Sequence, residues 1–355
     1  MDNFRTALLA TAASALSLAT APAALAAGLS FTSYTTANGL GSNFLNGVYA
    51  SGSSIYAATN GGLSISTNGG SNWTNYTTSN GLGNNAVSGV YASGSSIYAA
   101  TSGGFSISTN GGSNWTNYTT VNGLGSNSVA NVYASGSSIY AATQDGLAIS
   151  TDGGSNWTNY STANGLGGNF VNGVYASGSS IYATTNGGLG ISTDGGSSFI
   201  NKTTANGLGN NSLRGIYVSG SSIYTASGSG VSISTNGGSS FTNYTTSNGL
   251  GSNSTRSVYA SGSSIYAATT GGLGISTDGG SNWTNYTTAN GLGANSVRGV
   301  YASGSTIYAA TSGGGLSIAQ QLAVPGPLPL FGAASAFGFS RKLRRRLRAA
   351  ASTSC

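Results

Sequence analysis

The residues best suited to bind a ligand are three arginines that recur at an interval of 42 residues, Arg214, Arg256 and Arg298. Each stands two residues before an Ile or a Val. A guanidinium group donates paired hydrogen bonds to a carboxylate or a phosphate. If the fold brings equivalent positions of neighbouring repeats together, these groups predict an anion-binding site. The alternative is that one Arg was copied by duplication and each copy stays solvated.

Acidic residues are too few and too scattered for most enzyme chemistry. The chain has no Glu and no His, and its single Cys is the last residue. A glycosidase needs two carboxyl groups flanking the scissile bond. However, Asp152, Asp194 and Asp278 fall in three separate repeats, and only Asp145 lies elsewhere in the repeat region. Zinc sites are built from Cys and His. The composition therefore predicts a protein that is not an enzyme and holds no metal or cofactor.

The net charge of +6 is unevenly distributed. Between residues 28 and 323, four Lys or Arg side chains are balanced by four Asp side chains. The excess lies in a basic cluster near the C-terminus. Because phosphate contacts dominate nucleic-acid affinity, a neutral repeat region predicts no nucleic-acid partner.

The repeat itself is marked by a Ser-Thr-Asn/Asp-Gly-Gly box that ends in an aromatic residue. The six ends, spaced by 42 residues, are Trp73, Trp115, Trp157, Phe199, Phe241 and Trp283. A strict period of this length indicates a repeat architecture. One period contains four β-branched and aromatic runs, at 87–92, 96–101, 105–108 and 115–120, separated by Gly, Ser and Asn turns. This pattern predicts a four-stranded meander.

Polarity rises along that meander, from two strands that are apolar on both faces to a mostly polar fourth strand. Strands buried on both faces lie deep in a fold. An inner-to-outer order of this kind is typical of a β-propeller blade. A parallel β-solenoid is the alternative, although its coils need no hairpin turns.

Counting the motifs predicts how the ring closes. The Asn-Gly-Leu linker and the Tyr-x-Ser-Gly-Ser motif each occur seven times, but the box occurs six times. The last repeat stops after three strands, and residues 31–36 match 73–78. We therefore predict an all-β protein, a seven-bladed β-propeller over residues 27–321, in which the N-terminal strand completes the last blade. Closure removes two exposed sheet edges.

The box resembles the Asp-box (BNR) repeat of sialidase-like and sortilin-like propellers. The matching positions are Ser150, Asp152, Gly154 and Trp157, then Ser192, Asp194, Gly196 and Phe199, then Ser276, Asp278, Gly280 and Trp283. This resemblance implies a structural turn. We expect the Asp side chain to accept bonds from N–H groups two residues on, the glycines to adopt positive φ, and the aromatic to pack on the hairpin base. A calcium or sugar site in each box is the alternative. Asn replaces Asp in half of the boxes, which removes charge that calcium ligation would use.

The linker and the two strands after it also resemble the propeller repeats of hybrid two-component regulators. The resemblance covers about residues 28–320. It implies an extracellular sensor-type propeller, although no signalling domain accompanies it in this sequence.

Both ends of the chain resemble targeting segments. Residues 1–26 are typical of a secretory signal peptide, with an Ala-x-Ala site for signal peptidase. Residues 322–355 resemble a PEP-CTERM sorting signal. The motif is Val324, Pro325, Gly326 and Pro327, and a short apolar run and an Arg-rich end with Arg344, Arg345 and Arg346 follow it. This resemblance implies transient membrane anchoring and an exosortase-like sorting enzyme as a partner. Gly326 departs from the Glu usual in that family, and a simple tail anchor is the alternative.

These features together predict a non-catalytic protein that is secreted across the inner membrane to the cell envelope, outer surface or extracellular matrix. Its expected role is binding or scaffolding, and the PEP-CTERM resemblance implies exopolysaccharide as the first ligand to test. The alternatives are a sialidase-like or other glycan-acting enzyme and an extracellular sensor module.

Overall fold

A computed structural model describes residues 28–320. They form seven antiparallel sheets of four strands, in sequential order in six of them, whereas in the seventh the first strand of the chain joins the last three. The molecule is therefore the predicted seven-bladed β-propeller. Within residues 28–320, no helix is both long enough and apolar enough to cross a bilayer. The expectations for residues 1–26 and 322–355 lie outside the described residues.

Each blade contributes one strand to each of four concentric positions. The innermost strands are β2 (Leu45–Ser51), β6 (Val87–Ser93), β10 (Val129–Ser135), β14 (Val171–Ser177), β18 (Leu213–Ser219), β22 (Thr255–Ser261) and β26 (Val297–Ser303). The second strands are β3 (Ser54–Thr59), β7 (Ser96–Thr101), β11 (Ser138–Thr143), β15 (Ser180–Thr185), β19 (Ser222–Ser227), β23 (Ser264–Thr269) and β27 (Thr306–Thr311). The third strands are β4 (Gly62–Ser66), β8 (Gly104–Ser108), β12 (Gly146–Ser150), β16 (Gly188–Ser192), β20 (Gly230–Ser234), β24 (Gly272–Ser276) and β28 (Leu316–Gln320). The outermost strands are β5 (Thr74–Tyr76), β9 (Thr116–Tyr118), β13 (Thr158–Tyr160), β17 (Ile200–Lys202), β21 (Thr242–Tyr244), β25 (Thr284–Tyr286) and β1 (Thr32–Tyr34). Blade 1 is β2–β5, and the numbering continues along the chain to blade 7.

The outermost strands are shorter than the sequence predicted because a 3₁₀ turn follows each of them. In blade 2, for example, the strand expected at 115–120 is limited to the three residues of β9. Thr119 caps the turn, since its N–H donates to Asn122 Oδ1 at 2.9 Å, and Gly123 ends the turn at φ 104°. The seven turns are Thr36–Asn38, Thr78–Asn80, Thr120–Asn122, Thr162–Asn164, Thr204–Asn206, Thr246–Asn248 and Thr288–Asn290.

The hydrophobic core is divided among the seven blade interfaces. Between blades 2 and 3, for example, fully buried Phe105 packs in one cluster with Val129 and Ile139. Burying such a side chain contributes roughly 1.5–3 kcal/mol. Each interface is thus stabilised by its own cluster, and a blade is held by two neighbours.

The ring closes between blade 7 and the N-terminal strand, as predicted. Strand β1 pairs with β28, and Ser33 Oγ lies 2.8 Å from Ser317 Oγ across that pair. The N–H of Phe31 donates to the carbonyl of Asn290 at 2.9 Å, and the Phe31 ring is buried between blades 6 and 7.

The box is a hydrogen-bonded turn with a geometry that differs from the expected one. Ser150 Oγ donates to Asp152 Oδ1 at 2.8 Å and accepts from the Gly154 N–H at 2.8 Å. Asp152 Oδ1 accepts from the N–H of Asn156, at 2.9 Å. The expectation of bonds from two residues on is therefore wrong, because the acceptor reaches four residues on. Gly153 and Gly154 have positive φ as expected, at 73° and 97°.

The aromatic that ends the box packs on its own hairpin, where a Cβ added at Gly274 of β24 would lie 3.2 Å from Trp283 Cε3, and it also contacts the preceding blade. Trp157 makes edge contacts with Tyr118 and Phe105 of blade 2, with ring centroids 5.9 and 5.7 Å apart. Phe199 makes the same contact with Tyr160 at 5.9 Å, and Trp283 packs in the cluster that contains Tyr244. The box aromatic therefore joins neighbouring blades.

Candidate functional site

The innermost strands all begin at one end of the propeller, here called the arginine end. The box turns lie at the opposite end, here called the box end, because each packs on the turn after an innermost strand, as the Gly69 N–H to Ser53 carbonyl bond of 2.9 Å shows. At the arginine end, residues of all seven innermost strands line a central cavity of about 230 Å³. Arg214, Arg256 and Arg298 are among them.

A β-bulge places those arginines. In every innermost strand the second residue is skipped by the ladder, so that in blade 6 Thr255 pairs with Thr269 and Ser257 pairs with Ala268, with Arg256 between them. A bulge re-aims the extra side chain and is common next to functional sites. The seven bulge residues are Asn46, Ser88, Ala130, Asn172, Arg214, Arg256 and Arg298. The bulge residue is thus basic in three consecutive blades and uncharged in the other four.

The three arginines differ in their partners. Arg214 Nη1 donates to Ser254 Oγ at 2.9 Å and to the Thr255 carbonyl at 3.2 Å. Arg298 Nη1 donates to Asn46 Oδ1 at 3.0 Å. Arg256 stands between them and is exposed, and within residues 28–320 it has no hydrogen-bond partner. The outer two arginines are therefore held in place and the central one is available.

The electrostatics at this end favour an anion. Burial, and next the charge of Arg256, lowers the pKa of Arg214 and of Arg298. No ion pair neutralises any of the three among the described residues. Asp145 is at the same end but farther from the axis, in the turn after β11, where its Oδ1 lies 3.4 Å from Asn169 Nδ2.

The other predicted site residues are remote from this cluster. Asp152, Asp194 and Asp278 lie in box turns of different blades at the box end, with Trp157, Phe199 and Trp283 in blade interfaces. Among residues 28–320, no three acidic, His or Cys side chains come together as a metal-ligating group. The residues of the predicted sorting motif are outside the described range.

Below the arginines, the next residue of each inner strand lies close to the neighbouring inner strand. A Cβ atom added at Gly215 would lie 3.0 Å from the Arg256 carbonyl oxygen, and one at Gly299 would lie 3.0 Å from Gly47 Cα. Neighbouring inner strands approach closely here because five blades carry Gly at this position. Asn131 and Ser257 occupy it in the other two blades.

Deeper still, seven tyrosines form a closed ring, with neighbouring ring centroids 4.5–5.5 Å apart. The members are Tyr49, Tyr91, Tyr133, Tyr175, Tyr217, Tyr259 and Tyr301. Burial raises the pKa of the hydroxyls of Tyr49, Tyr91, Tyr133, Tyr175, Tyr217 and Tyr259. The sequence showed this Tyr as part of a repeated motif, but only the ring closure brings the seven together.

No protein-family model matches the sequence, and no curated protein matches it. Several solved structures share the fold. The extracellular domain of a putative hybrid two-component system from B. thetaiotaomicron has 18% identity and a TM-score of 0.69, over 82% of this chain and 42% of that one. PorZ, a surface component of the type-IX secretion system of Porphyromonas gingivalis, has 17% identity and a TM-score of 0.58, over 84% and 40%.

The Niastella koreensis GH74 enzyme has 19% identity and a TM-score of 0.50, over 77% of this chain and 48% of that one. This chain thus spans less than half the length of each of the three proteins. At these identities the likeness establishes the fold, which extracellular domains, a surface component and a glycoside hydrolase all use.

Proposed function

We propose that this protein is a non-catalytic, extracellular binding propeller that holds an anionic polymer at the arginine end. The observation that carries the proposal is the run of three bulge arginines on blades 5, 6 and 7, with Arg256 exposed and unpartnered. Two of the guanidinium groups are already oriented by neighbouring blades. Preorganised donors lose less freedom when a ligand binds.

An acidic polysaccharide is the ligand class that we propose first. Its carboxylates repeat along the chain, as the arginines repeat around the mouth. Each further carboxylate that engages a fixed arginine adds affinity through effective concentration. The extracellular setting of the structural neighbours supports this choice. We further propose that signal peptidase releases residues 1–26 and that a sorting enzyme acts at 324–327, which mass analysis of the mature protein would test.

The geometry favours binding over hydrolysis. The box carboxylates Asp152, Asp194 and Asp278 lie in turns of separate blades, and Asp145 is at the other end. A retaining or inverting glycosidase brings two carboxyl groups within about 10 Å. Asp145 and Asp152 belong to the same blade but lie at opposite ends of it, whereas the three arginines share one mouth.

The test is binding of polygalacturonate to the purified protein and to Arg256→Ala, measured by calorimetry at two salt concentrations. Loss of a charge-assisted contact is expected to weaken binding about tenfold and to reduce its salt dependence. Lys202→Ala is the matched control, because it removes one positive charge from an outermost strand and leaves the mouth intact. Equal affinities of the wild type and Arg256→Ala would contradict the proposal.

A further inference from the structure

Four large hydrophobic side chains are exposed among residues 28–320: Phe44 (49%), Val121 (93%), Phe170 (38%) and Ile200 (67%). Phe44 and Phe170 stand at the same repeat position, two residues before the bulge and at the arginine end. The other five blades carry a small residue there, at Ala86, Ser128, Ser212, Ser254 and Ser296. Because neither the strand nor the turn needs an aromatic at this position, the two rings require a separate explanation.

The two phenylalanines flank the arginines. Around the mouth, blades 4, 5, 6, 7 and 1 follow one another, with Phe170 on the first and Phe44 on the last. Their bulge residues are, in order, Asn172, Arg214, Arg256, Arg298 and Asn46. In blade order, one aromatic, one amide and one arginine therefore stand on each side of Arg256. Blades 2 and 3 carry Ser88 and Ala130 at the bulge and no aromatic before it.

Contacts join each phenylalanine-bearing blade to the arginine-bearing blade beside it. On one side, Arg298 Nη1 donates to Asn46 Oδ1 at 3.0 Å, and Phe44 pairs with Ser312 of the arginine's own blade. On the other side, Asn172 Nδ2 donates to the carbonyl of Leu213, next to Arg214, at 2.8 Å.

The repeat also shows how near this position lies to a guanidinium group. Arg214 donates at 2.9 Å to Ser254, which is the residue of the following blade that corresponds to Phe44. Phe44 holds the same place relative to Arg298. The ring of Phe44 also lies against the Gly313 backbone, since a Cβ added there would be 3.6 Å from Phe44 Cε1. The Phe44 ring thus contacts the Gly313 backbone while about half of the side chain is exposed to solvent.

Building on the proposed function, we infer that these five blades form one elongated site for a uronate-containing oligosaccharide. The three arginines bind carboxylates of its central residues, and Phe44 and Phe170 each stack on a sugar ring farther along the chain. A pyranose ring presents an apolar C–H face to an aromatic ring and directs its polar groups to the edge. A uronate polymer carries both a ring and a carboxylate in every residue, which matches this alternation. An acidic peptide supplies the carboxylates without the rings.

The experiment separates the rings from the charges by ligand length. Affinities of trigalacturonate, heptagalacturonate and a heptaglutamate peptide are measured for the full chain and for Phe44→Ser/Phe170→Ser. Serine is the residue that four other blades carry at this position, so the variant is compatible with the fold. The matched control is Val121→Ser/Ile200→Thr, which removes the other two exposed apolar side chains and also restores residues found in other blades.

We expect heptagalacturonate to bind the wild type at least tenfold more tightly than trigalacturonate does. The Phe double variant should lose about tenfold for the heptamer and nothing for the trimer, with the salt dependence unchanged. The control variant should match the wild type.

The inference fails if the Phe double variant binds the heptamer as well as the wild type does, or if heptaglutamate loses as much affinity as the heptamer. In either case, trigalacturonate binding that is weakened by Arg256→Ala would leave the anion site standing. If neither trigalacturonate nor heptagalacturonate binds the wild type or any variant, the proposed function itself fails.

Discussion

A single carboxylate in the box acts as a hydrogen-bond acceptor that organises a turn. Donation from the side chain and then the N–H of Asn156 lowers the pKa of Asp152 to about 2. Bonds from Ser192 and Ser198 lower the pKa of Asp194 to about 2 in the same way. Three boxes carry Asn instead, and Asn68 Oδ1 accepts from the Asn72 N–H at 2.9 Å, as Asp152 does. The amide oxygen is therefore sufficient for the turn at neutral pH.

This equivalence predicts an acid-dependent contribution to stability. Because the folded pKa of each Asp lies below the unfolded value of about 3.9, its stabilisation is present above pH 4 and is lost as the pH falls toward 2. We expect Asp152→Asn/Asp194→Asn to match the wild type at pH 7 and to lose less stability between pH 4 and pH 2. Urea denaturation across that range checks this. Parallel pH profiles for the two proteins would contradict it.

The residues of the proposed binding site could be identified from the sequence only in part. A 42-residue recurrence identified the three arginines and their position at the start of an inner strand. The recurrence did not reveal the bulge. A bulge depends on which residue is left out of the strand pairing, and an arginine at position 256 or 298 does not by itself require one. Phe44 and Phe170 resembled ordinary apolar residues before a strand, and only their exposure separates them from core residues.

Neighbouring blades contact each other through buried side chains, and the box aromatic is one of the side chains that join them. Trp283 is buried against the cluster between blades 5 and 6, and its Nε1 has no hydrogen-bond partner among the described residues. The same is true of Nε1 in Trp73, Trp115 and Trp157. Phe31, Phe199 and Phe241 occupy the equivalent place in other blades, so the ring rather than the N–H is what the interface uses.

We therefore predict a large difference between two substitutions at one position. Trp283→Ala removes the ring from a buried interface and should cost about 3–5 kcal/mol of unfolding free energy. Trp283→Phe keeps an aromatic and removes an unpaired polar atom, so its cost should stay within about 1.5 kcal/mol. Thermal and denaturant unfolding measure both. Similar losses for Ala and Phe would show that the indole N–H matters.

Element boundaries followed from the sequence where one periodicity dominated. The inner three strands of each blade have the predicted positions because their apolar runs end at Gly turns. The fourth strand does not, because the Thr and Asn side chains after it bond the backbone locally and turn the chain. Thr77 and Asn80 show this, with the Thr77 N–H donating to Asn80 Oδ1 at 3.0 Å. Threonine favours strands in general, so propensity alone extends the strand too far.

Within residues 28–320, three of the four Asp side chains lie at the box end and the three bulge arginines lie at the arginine end, together with Asp145. The box carboxylates lie at one end and the bulge arginines at the other, although the repeat region as a whole is neutral. A charge count therefore misses the field that a ligand meets at each mouth. The ring closure produces this separation, since it places equivalent residues of every repeat at the same height. Closure depends on β1, a strand of three residues from the other end of the described chain.

That dependence gives a prediction about the junction between β1 and β28. A variant without residues 28–38 should expose the edge of β28 and associate in a concentration-dependent way, because an unpaired edge strand recruits another chain. Sedimentation velocity would show larger species for the truncated protein than for the intact chain at the same concentration. A truncated protein that remained monomeric and equally stable would mean that β1 does not seal the ring.

A complementary prediction is that adding the missing box between β28 and β1 stabilises the protein. In a permutant that begins at residue 39, Ala319→Ser followed by Thr-Asp-Gly-Gly-Ser-Asn leads directly into Phe31, in the spacing of the other six boxes. Its hydrogen bonds should make it about 1–3 kcal/mol more stable than a permutant with a Gly-Ser linker of the same length and Ala319 retained. Both permutants close the chain covalently, so the loop-closure entropy is the same and the difference measures the box. Equal stabilities would mean that the turn's hydrogen bonds add nothing beyond connection, and that the six natural boxes act only through their aromatic residues.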